Sequence, residues 1–151
     1  MTAPFHLGCA VWGYRRWLGG FFPEGSRQQD FLKLYGPRLT TVECNSVFYA
    51  VPGEKALTRW VEQTPEGFSF CPKFPRVITH EGPLEPVIGD ALSFSEHMRR
   101  HLGDKLGPFF VQLPPTFEPD KGPGLAALLN AWRRQDAELG LHRRVAVEVR
   151  S

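Results

Sequence analysis

Short apolar runs alternate with helical stretches along the whole chain. Runs rich in apolar and β-branched residues predict five strands, at residues 6–11, 40–44, 69–73, 109–113 and 144–149. Between them, apolar residues spaced three and four apart predict four helices, at residues 28–35, 55–63, 91–102 and 124–139. Strands that alternate with helices are typical of a parallel α/β sheet rather than of a β-sandwich.

The loops that follow the predicted strands are long, whereas the connections that precede them are short. The long loops are at residues 12–26, 45–54 and 74–89. This asymmetry is typical of a (β/α) barrel that carries its function at the carboxyl ends of its strands. A complete barrel needs eight βα units in roughly 250 residues. We therefore expect residues 1–151 to form a single TIM-type (β/α) barrel domain, truncated to about five βα units and incomplete at its C-terminus.

The composition of the chain excludes several classes of protein. Hydrophobic residues make up 42% of the chain and the formal net charge is +2, which excludes a disordered chain and a strongly basic nucleic-acid tail. The apolar runs are far shorter than a membrane span needs, and the sequence opens without a signal-peptide pattern, so we expect a cytoplasmic protein and no membrane partner. The 3 cysteines form no CxxC pair, and we expect neither a metal nor a cofactor.

Polar side chains stand at the ends of four successive predicted strands. Glu43 is near the end of the second strand, Lys73 ends the third, and Gln112 lies in the last part of the fourth. In the fifth strand, Glu148 and Arg150 are two residues apart and therefore share a face. Because the carboxyl ends of parallel strands meet at one edge, these groups predict a functional site. The alternative is an ion-pair network that fills the interior and only stabilises the fold.

Two further groups could contribute to this site. His80, in the loop after the third strand, has the residue type that exchanges protons near neutral pH, although a loop histidine can also serve only to fix the backbone. The aromatic residues Trp12 and Tyr49 lie just beyond strand ends, where they either stack on a ligand or pack a long loop onto the sheet.

Several runs, taken together, resemble the YecE-like family, called domain of unknown function 72. These runs are Gly8–Tyr14, Val42–Tyr49, Thr64–Phe70, Gln112–Pro115 and Val147–Arg150. The resemblance covers essentially the whole chain and implies a TIM-type barrel whose polar strand ends face a pocket, with an activity that the family name leaves open. The positions that match the family's motifs are Trp12, Glu43, Asn45, Tyr49, Lys73, Thr79, His80, Gln112, Glu148 and Arg150.

The leading hypothesis is an enzyme that acts on a small polar or anionic metabolite by acid–base chemistry. Its predicted catalytic residues are Glu43, Lys73, His80 and Glu148. Its predicted substrate-binding residues are Trp12, Asn45, Tyr49, Thr79, Gln112 and Arg150. Hydrolase, isomerase and lyase reactions all remain open, because each can use a carboxylate beside a lysine or an arginine.

Two other hypotheses remain beside the enzyme. The first is a protein that binds nucleic acid or a phosphorylated ligand without catalysis, with Arg15, Arg16, Lys73 and Arg150 on the phosphates. The second is an inactive barrel fragment. An open sheet would also expose unpaired strand edges, so we expect a homo-oligomer that forms through these edges.

Overall fold

The structure is a computed structural model that describes residues 5–150. Its strands are β1 (Gly8–Cys9), β2 (Thr41–Cys44), β3 (Ser69–Pro72), β4 (Phe109–Gln112) and β5 (Val145–Glu148). Its α-helices are α1 (Phe31–Tyr35), α2 (Glu54–Glu62), α3 (Arg76–Thr79), α4 (Ile88–Leu102) and α5 (Gly122–Leu139). All five predicted strands and four predicted helices are present near their expected positions. The short helix α3 lies in the 74–89 segment, which the sequence predicted as a loop.

The strands form two small parallel sheets. One sheet has the order β1-β2-β3, and the other pairs β4 with β5. Neither sheet closes on itself within the described residues. The prediction of a TIM-type barrel truncated to five βα units is therefore wrong: the chain is an α/β protein with a three-stranded and a two-stranded parallel sheet.

Two prolines account for the break between the sheets. Only two isolated bridges, Phe70 with Leu106 and Lys73 with Phe110, join β3 to the β4 region in the described chain. The carbonyl of Phe70 on β3 and the N–H of Phe74, two residues after β3, both bond toward β4, so the intervening Pro72 faces the same way. On the other side, the N–H of Phe109 donates to the carbonyl of Arg144, just before β5, so Pro108 faces β3. Neither proline has an N–H to donate, and the ladder is interrupted there.

Strand alternation divides the side chains between a covered and an open face. In β2, Val42 and Cys44 are buried while Thr41 and Glu43 are partly exposed, as expected for a strand with helices on one side only. The same alternation in β3 buries Phe70 and exposes part of Cys71. The largest fully buried side chains of the core include Tyr35, Phe22, Phe31, Phe70, Phe74, Phe109, Leu57, Met98 and Leu113.

The outer strands leave two edges of the sheets unpaired. In the described chain, β1 pairs with β2 and β5 pairs with β4, and neither has a second partner. Val149, just after β5, is 52% exposed. Association through these edges stays a prediction.

No helix among residues 5–150 is both long enough and apolar enough to cross a bilayer.

Arg143 fixes the connection between α5 and β5. Its guanidinium donates to Asp136 at 2.5 Å and to Gln135 at 2.8 Å, both on α5. It also donates to Ser95 on α4 at 2.5 Å and lies over the ring of Trp132, 4.5 Å from the ring centre. The side chain of Arg143 is only 2% exposed. One buried cation thus ties both long helices to the segment that leads into β5.

We predict that Arg143→Ala lowers the free energy of unfolding by about 3 kcal/mol, because it removes the buried guanidinium that pairs with the carboxylate of Asp136 and donates to Ser95. The neighbouring Arg144 is exposed, so Arg144→Ala should change stability by no more than about 0.5 kcal/mol. Urea unfolding of the two variants and the parent chain measures both values. Equal losses in the two variants would contradict this role for Arg143.

Candidate functional site

Four polar side chains at the carboxyl ends of β3, β4 and β5 form one continuous chain of hydrogen bonds, which we call the relay. Lys73 Nζ donates to Gln112 Oε1 at 2.9 Å. Gln112 Nε2 then donates to Glu148 Oε1 at 3.1 Å, and Arg150 Nε donates to the same oxygen at 2.8 Å. The structure therefore brings together four of the residues that the sequence predicted for the site.

The strand register produces this arrangement. Gln112 of β4 is the direct partner of Glu148 of β5, and side chains of directly paired parallel residues lie on the same face. Lys73 follows β3 and bridges to Phe110, two residues before Gln112 and therefore on the same face as it. A lysine side chain is long enough to reach the amide from there.

The relay has an ion pair, Arg150 with Glu148, at one end. At the other end is the cation Lys73. Hydrogen bonds from Arg150 and then Gln112 lower the pKa of Glu148, helped by the positive charges of Arg150 and Lys73. Glu148 is therefore ionised at neutral pH. Lys73 has no carboxylate partner among residues 5–150; its ammonium lies over the ring of Phe48, 4.4 Å from the ring centre.

His80 lies beside the relay on a half-buried position after α3. Its Nδ1 is 2.6 Å from the hydroxyl of the buried Thr79, and its ring packs edge-on against Phe48 at 5.0 Å. Burial lowers the pKa of His80, and the positive charges of Lys73, Arg76 and Arg150 lower it further. The imidazole is therefore neutral at pH 7. Because the unfolded chain binds this proton more readily, the contribution of His80 to stability falls as the pH drops below about 6.5.

A separate cleft of about 330 Å³ lies at the ends of β1 and β2, and we call it the Glu43 cleft. It is lined by Trp12, Gln28, Glu43, Asn45, Ser46 and backbone near Ala10. The amide nitrogen of Asn45 donates to the carbonyl of Ala10 at 3.1 Å. Its buried Oδ1 has no hydrogen-bond partner in the described structure, and the carboxylate of Glu43 accepts no hydrogen bond from residues 5–150.

The remaining predicted residues play different parts. Trp12 lines the Glu43 cleft and also packs edge-on against Trp60 of α2 at 4.8 Å, so its ring holds the first loop against this helix. Tyr49 is 79% exposed and contacts Phe48, whose ring centre is 5.0 Å away. Sequence reasoning missed Phe48, which touches Lys73, His80 and Tyr49. Its place between the predicted residues Asn45 and Tyr49 was the available signal.

The described residues include no group of three or more histidine, cysteine or acidic side chains placed to hold a metal ion. All three cysteines are free thiols. Burial raises the pKa of Cys44 and of Cys71, so neither thiol ionises readily.

A second cleft, of about 380 Å³, lies beside His80 between the loops after β3 and β4.

The fold and the site define an α/β protein of parallel strands with a polar relay at their carboxyl ends. Solved structures share this fold. A DUF72 family protein from Enterococcus faecalis V583, crystallised at 3.10 Å resolution, matches with a TM-score of 0.69 and 22% identity over 95% of this chain and 50% of its own. A second structure described as a DUF72 family protein from Enterococcus faecalis V583, at 2.52 Å, matches with a TM-score of 0.61.

The chain belongs to the family described as "Protein of unknown function DUF72", which matches residues 6–151. Among curated proteins, it is 30% identical to the UPF0759 protein YecE of Escherichia coli K12, over 83% of this chain and 43% of YecE. It is 28% identical to the UPF0759 protein YunF of Bacillus subtilis 168, over 77% of this chain and 42% of YunF. The chain thus spans less than half the length of these relatives.

We predict that Lys73→Met raises the pKa of His80, because it removes one of the positive charges that hold the pKa low. The imidazole proton shifts in an NMR pH titration report the change directly. Lys33→Met is the matched control, since Lys33 lies exposed on α1 and does not contribute to the lowered pKa. An unchanged pKa in Lys73→Met would show that the ammonium does not lie near His80.

Proposed function

We propose that this chain binds a small anionic metabolite at the relay and supports acid–base chemistry on it. The free N–H donors at the two ends of the relay support this proposal most directly. Lys73 donates one of its three N–H groups to Gln112, and Arg150 donates its Nε–H to Glu148. The remaining donors of both cations are available to a carboxylate or phosphate, the anions that lysine and arginine bind best.

Glu43 is the carboxylate best suited to move a proton in this scheme. The other strand-end carboxylate, Glu148, is held by Arg150 and Gln112, which stabilise its ionised form. Glu43 has no such partner in the described chain, so its oxygens are free to accept a proton from a bound ligand. In this proposal Lys73 and Arg150 hold the anion, Glu148 orients Arg150, and the neutral His80 is an auxiliary base.

Nucleic-acid binding has less support than a small ligand. Aromatic side chains that stack nucleobases must expose a ring face, whereas Trp17 of the first loop packs on Phe21 at 5.1 Å and on Phe22 at 5.6 Å. Tyr14 and Tyr49 are more exposed, but Tyr14 also packs edge-on against Trp17. A phosphorylated small molecule, by contrast, falls within the anion class that the relay accepts.

We predict that inorganic phosphate and butyrate, titrated into the isotope-labelled chain, shift the amide signals around Lys73, Gln112 and Arg150. Lys73→Met should weaken the affinity for the better-bound anion about tenfold, because it removes one charge-assisted hydrogen bond. The exposed control Lys33→Met should leave the affinity unchanged. Amide shifts confined to other regions, or equal affinities for the two variants, would overturn the anion site.

A second measurement separates the chemistry from the binding. Turnover of a panel of small carboxylates and phosphate esters, followed by NMR of the substrate signals, should be lost in Glu43→Gln while anion binding persists. Oligonucleotide binding with a steep dependence on salt, retained in Glu43→Gln, would instead favour the nucleic-acid hypothesis.

A further inference from the structure

The Glu43 cleft lacks a group that donates to its acceptors. Glu43 contributes a carboxylate without a hydrogen-bond partner in the described chain, and Asn45 Oδ1 is buried and equally unpartnered there. The orientation of the Asn45 amide is fixed, because its nitrogen donates to Ala10 O at 3.1 Å. A buried acceptor without a partner costs about 1–3 kcal/mol. Both acceptors therefore favour a ligand that brings N–H or O–H donors.

The charges around the cleft point to a cation. Of the residues that line it in the described structure, Glu43 is charged and none is basic. Ser46 and Gln28 add side-chain oxygens that can also accept hydrogen bonds. An ammonium group has three donors and a positive charge, and it satisfies Glu43 and Asn45 Oδ1 together.

The cleft and the relay are close enough for one small molecule to reach both. Glu43 is the direct strand partner of Cys71 in β3. Lys73 lies two residues beyond Cys71 on the same face. With strands about 4.8 Å apart and a rise of about 3.3 Å per residue, the Cα atoms of Glu43 and Lys73 are about 8 Å apart. A ligand of a few carbon atoms is long enough to reach from one of these side chains to the other.

We propose that the ligand is a small zwitterion, with its ammonium group in the Glu43 cleft and its anionic group on Lys73 and Arg150. This inference rests on the proposed anion site and names the substrate class that the site accepts. The ligand contains an amine at one end and a carboxylate or phosphate at the other. Glu43 then determines specificity by selecting the amine, in addition to its role toward protons.

The test uses two sets of probes that differ in one charged group at a time. The carboxylate set is 4-aminobutyrate, butyrate and butylamine, and the phosphate set is 2-aminoethyl phosphate, ethyl phosphate and ethylamine. Affinities come from NMR titration of the complete chain. In at least one set the zwitterion should bind about tenfold or more tightly than the anion alone, which is the effect of one added ion pair in a cleft.

Glu43→Gln should abolish the advantage of the zwitterion, because it removes the carboxylate that pairs with the ammonium group, while the anion alone should still bind through Lys73. Glu138→Gln is the matched control, since Glu138 is exposed on α5, and it should retain the advantage. The amide signals of Asn45 and Ser46 should shift with the zwitterion but not with the anion. Intact signals elsewhere in the spectrum show that each variant is folded.

The outcomes separate this inference from the function on which it rests. If zwitterion and anion bind equally in both sets and Lys73→Met weakens both, the zwitterion inference fails and the anion site stands. If the amines bind through Glu43 but no anion binds through Lys73, the proposed function fails, and the zwitterion inference fails with it. If no probe binds, both are overturned.

Discussion

The backbone pairing of β4 with β5 is the constraint on which the rest of the site depends. It sets Gln112 opposite Glu148, and this one register determines that the amide can donate to the carboxylate. A shift by one residue would turn Glu148 to the opposite face of β5, away from Gln112, and this hydrogen bond would be lost. The buried Arg143, two residues before β5, ties the start of this strand to α4 and α5.

The second determinant is the break between β3 and β4. Pro72 and Pro108 both face this seam and remove two backbone donors from it, so the two sheets are joined there by few hydrogen bonds. The Lys73–Gln112 hydrogen bond crosses the same seam through side chains. The residue that we propose to bind the anion therefore also links the two sheets. A ligand that binds Lys73 would therefore affect the contacts of both sheets.

The parts of this account that the sequence predicted are those that depend on local periodicity. Strand alternation and parallel pairing are enough to place Gln112, Glu148 and Arg150 at one edge. They also separate Glu43 from Cys44, which the structure buries. Helix α4 was predicted because apolar residues three and four apart recur through residues 91–102, most of its 15 residues, whereas the four residues of α3 are too few to show a period.

The parts that the sequence did not predict depend on contacts between distant segments. The truncated barrel was inferred from the lengths of the loops and from the family resemblance, but a barrel wall needs one continuous ladder of strands, which the two prolines interrupt between β3 and β4. The packing of Trp12 on Trp60 joins residues 48 positions apart, and no local pattern reports it. Likewise, Phe48 reaches Lys73 and His80 only because a 3₁₀ turn over Asn45–Phe48 carries its ring to the relay.

A crystal structure of the chain grown with 4-aminobutyrate or with phosphate tests the central claim most directly. The account predicts that the anionic group lies about 2.8 Å from Lys73 Nζ and from the guanidinium of Arg150, with the Gln112–Glu148 hydrogen bond intact. An anion bound elsewhere, for example at Arg15 and Arg16, with the strand ends unoccupied, would contradict it.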